Sequence, residues 1–328
     1  MIDTQTFAPI IRQHCLSPQA SWPKSYTWTV PCTLAFDELL LSWNAERPLR
    51  GHYVILSSIY YRNQWSPWLL YAIWGSQYQY SFHDATSQAP VRSYQDQIEI
   101  LDGEVATGFR IRIEACEGAT LENFHSLYVC TSLLKSSKTT PSPLKQASIS
   151  LNVPGLSQLC LNHPRSTSFC SPTSTTAVIR YILATSQLDP LQFAKQVYDA
   201  GFDIYGNWSF NLAQAFVELG TQWQCFYGRA AGFETIQHYL NKGIPVVVSV
   251  KGTLPGTLLP YTNGHLIAVK GYDGFNRQIF CMDPAFPTDD QTSIAYPWEE
   301  FMQAWAQRHY LTYFFFPKFQ FLNSPRYN

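Results

Sequence analysis

Between residues 109 and 115, apolar Phe109, Ile111 and Ile113 alternate with Arg110, Arg112 and Glu114. A period of two predicts a strand with one buried and one wet face. Residues 52–61, 68–75 and 127–132 are rich in β-branched and aromatic side chains and predict further strands. Gly, Pro, Asn and Asp turns separate these short runs, which is the pattern of an all-β sandwich. After residue 145 the period changes. Val178, Ile179, Ile182 and Leu183 recur at helical spacing behind Pro172, predicting a helix over 172–185. Helices are also predicted over 190–198, 209–219 and 233–241. Strands follow over 245–250, 265–271 and 277–282, then a helix over 298–307 and a strand over 310–316. Helices first and an antiparallel sheet afterwards is an α+β pattern. The run Ser136-Ser137-Lys138-Thr139-Thr140-Pro141-Ser142-Pro143 has the composition of a linker. The expected organisation is therefore a β-sandwich accessory domain over 1–135, a linker over 136–144 and an α+β domain over 145–328.

Composition excludes several classes of function. The chain has 328 residues, 46% of them hydrophobic, enough for two ordinary cores. A net charge of -1 with 14% charged residues supplies no basic footprint for nucleic acid. No apolar run is long enough for a bilayer. The start, Met1-Ile2-Asp3-Thr4-Gln5-Thr6-Phe7, lacks a basic, apolar signal pattern, so a cytoplasmic location is the default expectation. Eight cysteines are too sparse for a disulfide scaffold and show no zinc-type spacing. Neither a metal nor a cofactor is expected. Cys116, Cys130 and Cys281 sit in apolar strand patterns and read as small hydrophobes, and Cys160 as a loop cysteine.

Candidate chemistry centres on Cys170, at the start of the helix led by Pro172. Unpaired N–H groups and the positive dipole end favour thiolate there. A thiolate nucleophile needs a base, and the base an orienter. His265 opens a strand after the turn signal Asn263-Gly264. Asp283 ends the next strand, so the two side chains are expected side by side. Asp273 competes for the orienting role, but its place in the turn at the far end of the hairpin favours a turn residue.

These residues resemble the papain-like cysteine peptidases related to the leader-cleaving domain of bacteriocin exporters, and within them a stand-alone bacterial branch. The likeness runs over about residues 145–317. It is carried by Val153-Pro154-Gly155-Leu156-Ser157-Gln158, Cys170-Ser171-Pro172-Thr173-Ser174, Gly206-Asn207-Trp208-Ser209-Phe210-Asn211, the stretch 243–249, Asn263-Gly264-His265-Leu266, Asp283-Pro284 and Tyr296. The resemblance implies Cys170 as nucleophile, His265 as base, Asp283 as orienter and Gln158 as an oxyanion donor. It also implies that residues 36–45 belong to a jelly-roll-like module ahead of a papain-like domain. Many relatives have Gly after the Cys; the side chain of Ser171 would narrow the oxyanion site.

The expected partner is a peptide or protein substrate, cleaved through a thioester acyl-enzyme. The same triad would also serve an acyltransferase of the transglutaminase type, or survive in a retired peptide-binding module. Aromatic residues make up 16% of the chain, and many fall before the linker. They offer a platform for a carbohydrate or cell-surface ligand, with Trp65 and Trp68 the best exposed candidates. Core packing is the simpler account of most of these rings.

Overall fold

The computed structural model describes residues 10–16, 24–86, 88–136 and 144–318. Most of the expected linker, the first nine residues and Trp22 lie outside the described residues. Eleven strands precede the linker: β1 (Ile10–Leu16), β2 (Ser25–Val30), β3 (Glu38–Ala45), β4 (His52–Tyr61), β5 (Gln64–Trp65), β6 (Leu69–Gly75), β7 (Gln79–Ala85), β8 (Val91–Gln95), β9 (Gln97–Ile100), β10 (Gly108–Cys116) and β11 (Phe124–Leu133). They pair in the order β1-β11-β3-β9-β8-β7-β6-β4-β10-β2, with β5 beside β4. The path folds back so that its two ends face each other. His14 on β1 meets Phe109 on β10 at 5.1 Å between ring centres. Trp43 on β3 meets Trp74 on β6 at 6.0 Å. The alternation read in β10 holds: Phe109, Ile111 and Ile113 are fully buried, and Arg110 and Arg112 lie half-buried on the other face.

The second half contains β12 (Ser148–Ser150), α1 (Cys170–Leu183), α2 (Pro190–Gln196), α3 (Trp208–Leu219), β13 (Trp223–Arg229), α4 (Phe233–Asn241), β14 (Val246–Gly252), β15 (Tyr261–Asp273), β16 (Gln278–Met282), β17 (Ser293–Pro297), α5 (Trp298–Ala306) and β18 (Leu311–Pro317). Its antiparallel sheet runs β13-β18-β14-β15-β16-β17, with β12 beside β15. Asn263-Gly264 is not a turn. It lies inside β15, where three residues stand between His265 and Tyr261 against one between Val250 and Gly252 on β14. This is a β-bulge, and Gly264 supplies its positive φ of 92°.

The sequence leads one to expect a modest, polar contact between the halves. The contact instead shares one hydrophobic core. Helix α3 packs on β3, with Phe210 edge-on to Trp43 at 6.0 Å. Glu38 and Arg229 form a buried two-pronged ion pair, Nε to Oε2 at 2.9 Å and Nη2 to Oε1 at 2.5 Å. Asn44 Oδ1 accepts the Cys225 N–H at 2.8 Å. The hydroxyls of Tyr71, Ser209 and Tyr227 lie within 3.0 Å of one another, and both tyrosines donate to the Asp96 carbonyl. Buried polar groups persist only when satisfied, so this network fixes how the halves meet.

The N-terminal aromatics divide as the simpler account has it. Trp43, Trp74, Tyr53 and Tyr71 are fully buried. Trp65 and Trp68 are half-buried and capped by cations. Arg110 lies 4.8 Å from the Trp65 ring and 4.5 Å from Trp68, and Arg112 lies 4.0 Å from Trp68.

Candidate active site

Cys170 is the first residue of α1. Pro172, two residues on, occupies a first-turn position where its missing N–H costs nothing. Helix α1 is pinned to β15 by Ser174, whose hydroxyl donates to the Leu266 carbonyl at 2.9 Å. That bond sets the helix start against the strand segment carrying His265. Cys170, His265 and Gln158 line one cleft of about 810 Å³.

His265 is buried and donates Nε2–H to Asp283 Oδ1 at 2.7 Å. Nδ1 is the ring nitrogen left for the thiol. Asp283 lies just past β16, which pairs with β15 as expected. Its carboxylate is fully buried and takes three more donors. Tyr261 Oη reaches Oδ2 at 2.8 Å, Tyr296 Oη reaches Oδ2 at 2.6 Å, and the Ala285 N–H reaches Oδ1 at 3.0 Å. Burial alone would raise the Asp283 pKa, but His265 and these donors hold it below the usual carboxylate value. Tyr261 also stacks on the imidazole, ring centres 4.0 Å apart. Asp273 is half-buried and accepts the N–H groups of Phe275 and Asn276, as a turn residue does.

The charges reinforce one another. Burial pulls the His265 pKa down, but Asp283 and the Cys170 thiolate together push it up to about 10. Burial pulls the Cys170 pKa up, and His265 with the Leu266 and Ser171 N–H groups brings it below that of an ordinary thiol. Cys116, Cys130, Cys225 and Cys281 shift the other way, burial being the largest cause in each. This arrangement favours a thiolate–imidazolium pair.

Gln158 begins a short helical turn, and its loop is stitched to the loop after Asp283. Its N–H donates to the Pro284 carbonyl at 2.9 Å. Ser157 N–H donates to Asp289 Oδ1 at 2.6 Å. Gly155 permits this approach, because a Cβ there would sit 2.1 Å from the Asp289 carbonyl oxygen. One Nε2 hydrogen of Gln158 goes to the Thr167 carbonyl at 2.8 Å, which leaves a second. Ser171 does not narrow the site as expected. Its hydroxyl turns into the core, 3.0 Å from Tyr313 Oη. Asn207 caps α3, accepting the Phe210 N–H at 3.1 Å, and Asn211 Nδ2 donates to the Tyr205 and Asn207 carbonyls at 2.9 and 2.8 Å.

Sequence reasoning missed Tyr261, Arg308 and the β8–β9 corner, all at the cleft or directly behind it. Gln95 and Asp96, at that corner, line the cleft from the N-terminal half. Nothing local in the sequence marks them, since they reach the site only through the shared core. Among the described residues, no group of three or more His, Cys, Asp or Glu is placed to hold a metal ion. Among the described residues, no helix is long and apolar enough to cross a membrane.

No curated protein matches the chain in sequence. A crystal structure described as a C39-like peptidase from Bacillus anthracis is 19% identical, with a TM-score of 0.40, over 52% of this chain and 98% of that one. Residues 150–313, half of the chain, match the Peptidase_C39 like family, and they contain the helix start, the bulged strand and the buried carboxylate described above. The chain belongs to the Peptidase_C39 like family.

Proposed function

We propose that this protein is a cysteine peptidase that cleaves a peptide or protein through a thioester acyl-enzyme, with a papain-like domain over 145–328. The observation that carries the reading is the buried His265–Asp283 pair at 2.7 Å opening onto the cleft of a cysteine at a helix start. Cys170 thiolate attacks the carbonyl carbon. The oxyanion is held by the Cys170 N–H and the second Nε2 hydrogen of Gln158. His265, protonated at Nδ1, gives that proton to the leaving amine. It then takes one from water as the water attacks the thioester. Asp283 keeps Nε2–H pointed away from the thiol, and Tyr261 and Tyr296 hold Asp283. A lost oxyanion donor typically costs about 100- to 1000-fold in rate.

On this reading the N-terminal half is a β-sandwich over 1–135, joined by a linker over 136–144, that buttresses the peptidase wall. A carbohydrate or cell-surface ligand for its outer face is part of the same proposal, with Trp65 and Trp68 as the rings to test. The decisive experiment treats the full chain with a thiol-reactive electrophile and maps the adduct. Cys170 should label well before the exposed Cys160, and His265→Ala should abolish both fast labelling and peptide turnover. Equal labelling of the two cysteines in the native chain would refute the reading.

A further inference from the structure

The charged groups along the cleft are all spoken for except one. Arg165 gives Nη1 to Asp203 Oδ1 and Nη2 to the Asp203 carbonyl, each at 2.5 Å, and lies over the Tyr205 ring. Asp96 Oδ2 accepts the Trp208 N–H at 2.9 Å. Burial, against the pull of that bond, raises the Asp96 carboxyl to about 7. Arg308 differs. Its Nε donates to Ser249 Oγ at 3.1 Å, and its guanidinium lies 5.5 Å from the centre of the Trp208 ring. Among the described residues neither Nη atom has a hydrogen-bond partner, and no carboxylate forms an ion pair with it. The charges of Asp96 and, more weakly, Glu38 reach it, but Asp96 is bonded to the Trp208 N–H and Glu38 is committed to Arg229.

This half-buried cation stands next to the candidate chemistry. A Cβ on Gly264, the neighbour of His265, would come within 3.2 Å of Arg308 Nε. Tyr313, bonded to Ser171, feels the charges of both Cys170 and Arg308. A half-buried cation that forms no direct ion pair gains from a ligand anion placed against it. A guanidinium anchored at Nε and flanked by an indole presents both Nη groups as a fork that matches a carboxylate.

We propose that Arg308, held by Ser249 and Trp208, recognises a substrate carboxylate close to the scissile bond. This rests on the peptidase reading and adds a substrate class to it. An acidic side chain and a peptide C-terminus carry the same group, and the test separates them.

The full-length chain with Cys170→Ala, which cannot turn over, is titrated with a labelled neutral decapeptide. The peptide is scanned with Glu against Gln at each position and made as both C-terminal acid and amide. Binding is read by fluorescence anisotropy. At one or more positions Glu should bind about tenfold or more tighter than Gln, the usual gain from a charge-assisted hydrogen bond. A preference for acid over amide whatever the Glu position would identify the C-terminus as the source. In the same background, Arg308→Gln should erase the preference and Arg308→Lys should keep part of it. The Glu–Gln and acid–amide comparisons need no Arg308 variant and hold if one misfolds. No binding, equal binding throughout, or a preference that survives in folded Arg308→Gln would overturn the proposal. Failure of the peptidase reading appears separately, as slow labelling of Cys170 in the wild-type chain, and leaves the binding comparison intact.

Discussion

Replacing Asp283 with Asn keeps the shape of the group behind His265 and removes its charge. The fully buried carboxylate accepts from His265, Tyr261, Tyr296 and the Ala285 N–H. The two tyrosine hydroxyls can reverse and accept from an amide. The imidazolium has no such recourse. A hydrogen bond to a charged group contributes about 1.5–3 kcal/mol, so the imidazolium form should lose about 10- to 150-fold in population. In the wild type, the thiolate persists between the lowered pKa of Cys170 and the raised value of about 10 at His265. Without the Asp283 charge the imidazolium value falls and the thiol value rises, so the window narrows from both sides. The midpoint of Cys170 alkylation should move up by about one to two pH units, towards the ~8.5 of a free thiol. The assay is iodoacetamide labelling from pH 4 to 10, read by mass spectrometry of the Cys170 peptide, with exposed Cys160 as the internal reference. The Cys160 curve should not move, and peptide turnover should fall at least as far as labelling does. An unchanged Cys170 curve in the folded variant would refute the coupling argued here.

Three further outcomes follow from the same geometry. Tyr261→Phe keeps the ring stacked on His265 and loses one bond to Asp283, so turnover should fall by less than about tenfold, whereas Tyr261→Ala should cost clearly more; equal losses would discount the stacking. Glu38→Ala leaves Arg229 buried and unpaired between the halves and should cost about 3–5 kcal/mol in urea unfolding, with a single transition if the halves unfold together. Asp96→Asn tests the buried carboxyl raised to about 7. In the wild type the unfolded chain gives up this proton from about pH 4 while the folded chain keeps it, so stability falls as pH rises to about 7. The Asn variant should gain on the order of a few kcal/mol at pH 8 and nothing at pH 4, measured by chemical denaturation.

The elements legible in the sequence are those whose pattern is local. The expected strand over 52–61 coincides with β4, and the helix over 233–241 with α4. Three strands of the second half gave no such signal. β13 is buried at six of its seven residues, Gln224 and Arg229 included, so the polar positions that would mark a wet face are turned inward. β12 has three residues, too few to show a period. β17 runs Ser-Ile-Ala-Tyr-Pro and ends on the proline that precedes α5. Asn263-Gly264 misled because a bulge and a turn ask the same backbone freedom of glycine. That Cys170, His265 and Asp283 would be brought together was legible through order and context, whereas Gln158 was singled out only by the family resemblance. Asp96 was not legible, because it reaches the cleft only when distant segments meet, and Tyr261 was not, because its stacking on His265 spans the bulge and follows no regular strand period.

The junction between the halves also bears on when the cleft can exist during synthesis. Its corner at Gln95–Asp96 leaves the ribosome first, Cys170 next, and His265, Asp283 and Arg308 after both. The wall that carries Trp208 is secured through Asp96, Tyr71 and Tyr227, which join residues more than a hundred positions apart. A nascent chain therefore holds Cys170 with no His265 imidazole beside it until about 95 further residues have been made. Chains that stop between the two carry the cysteine without the imidazole that lowers its pKa.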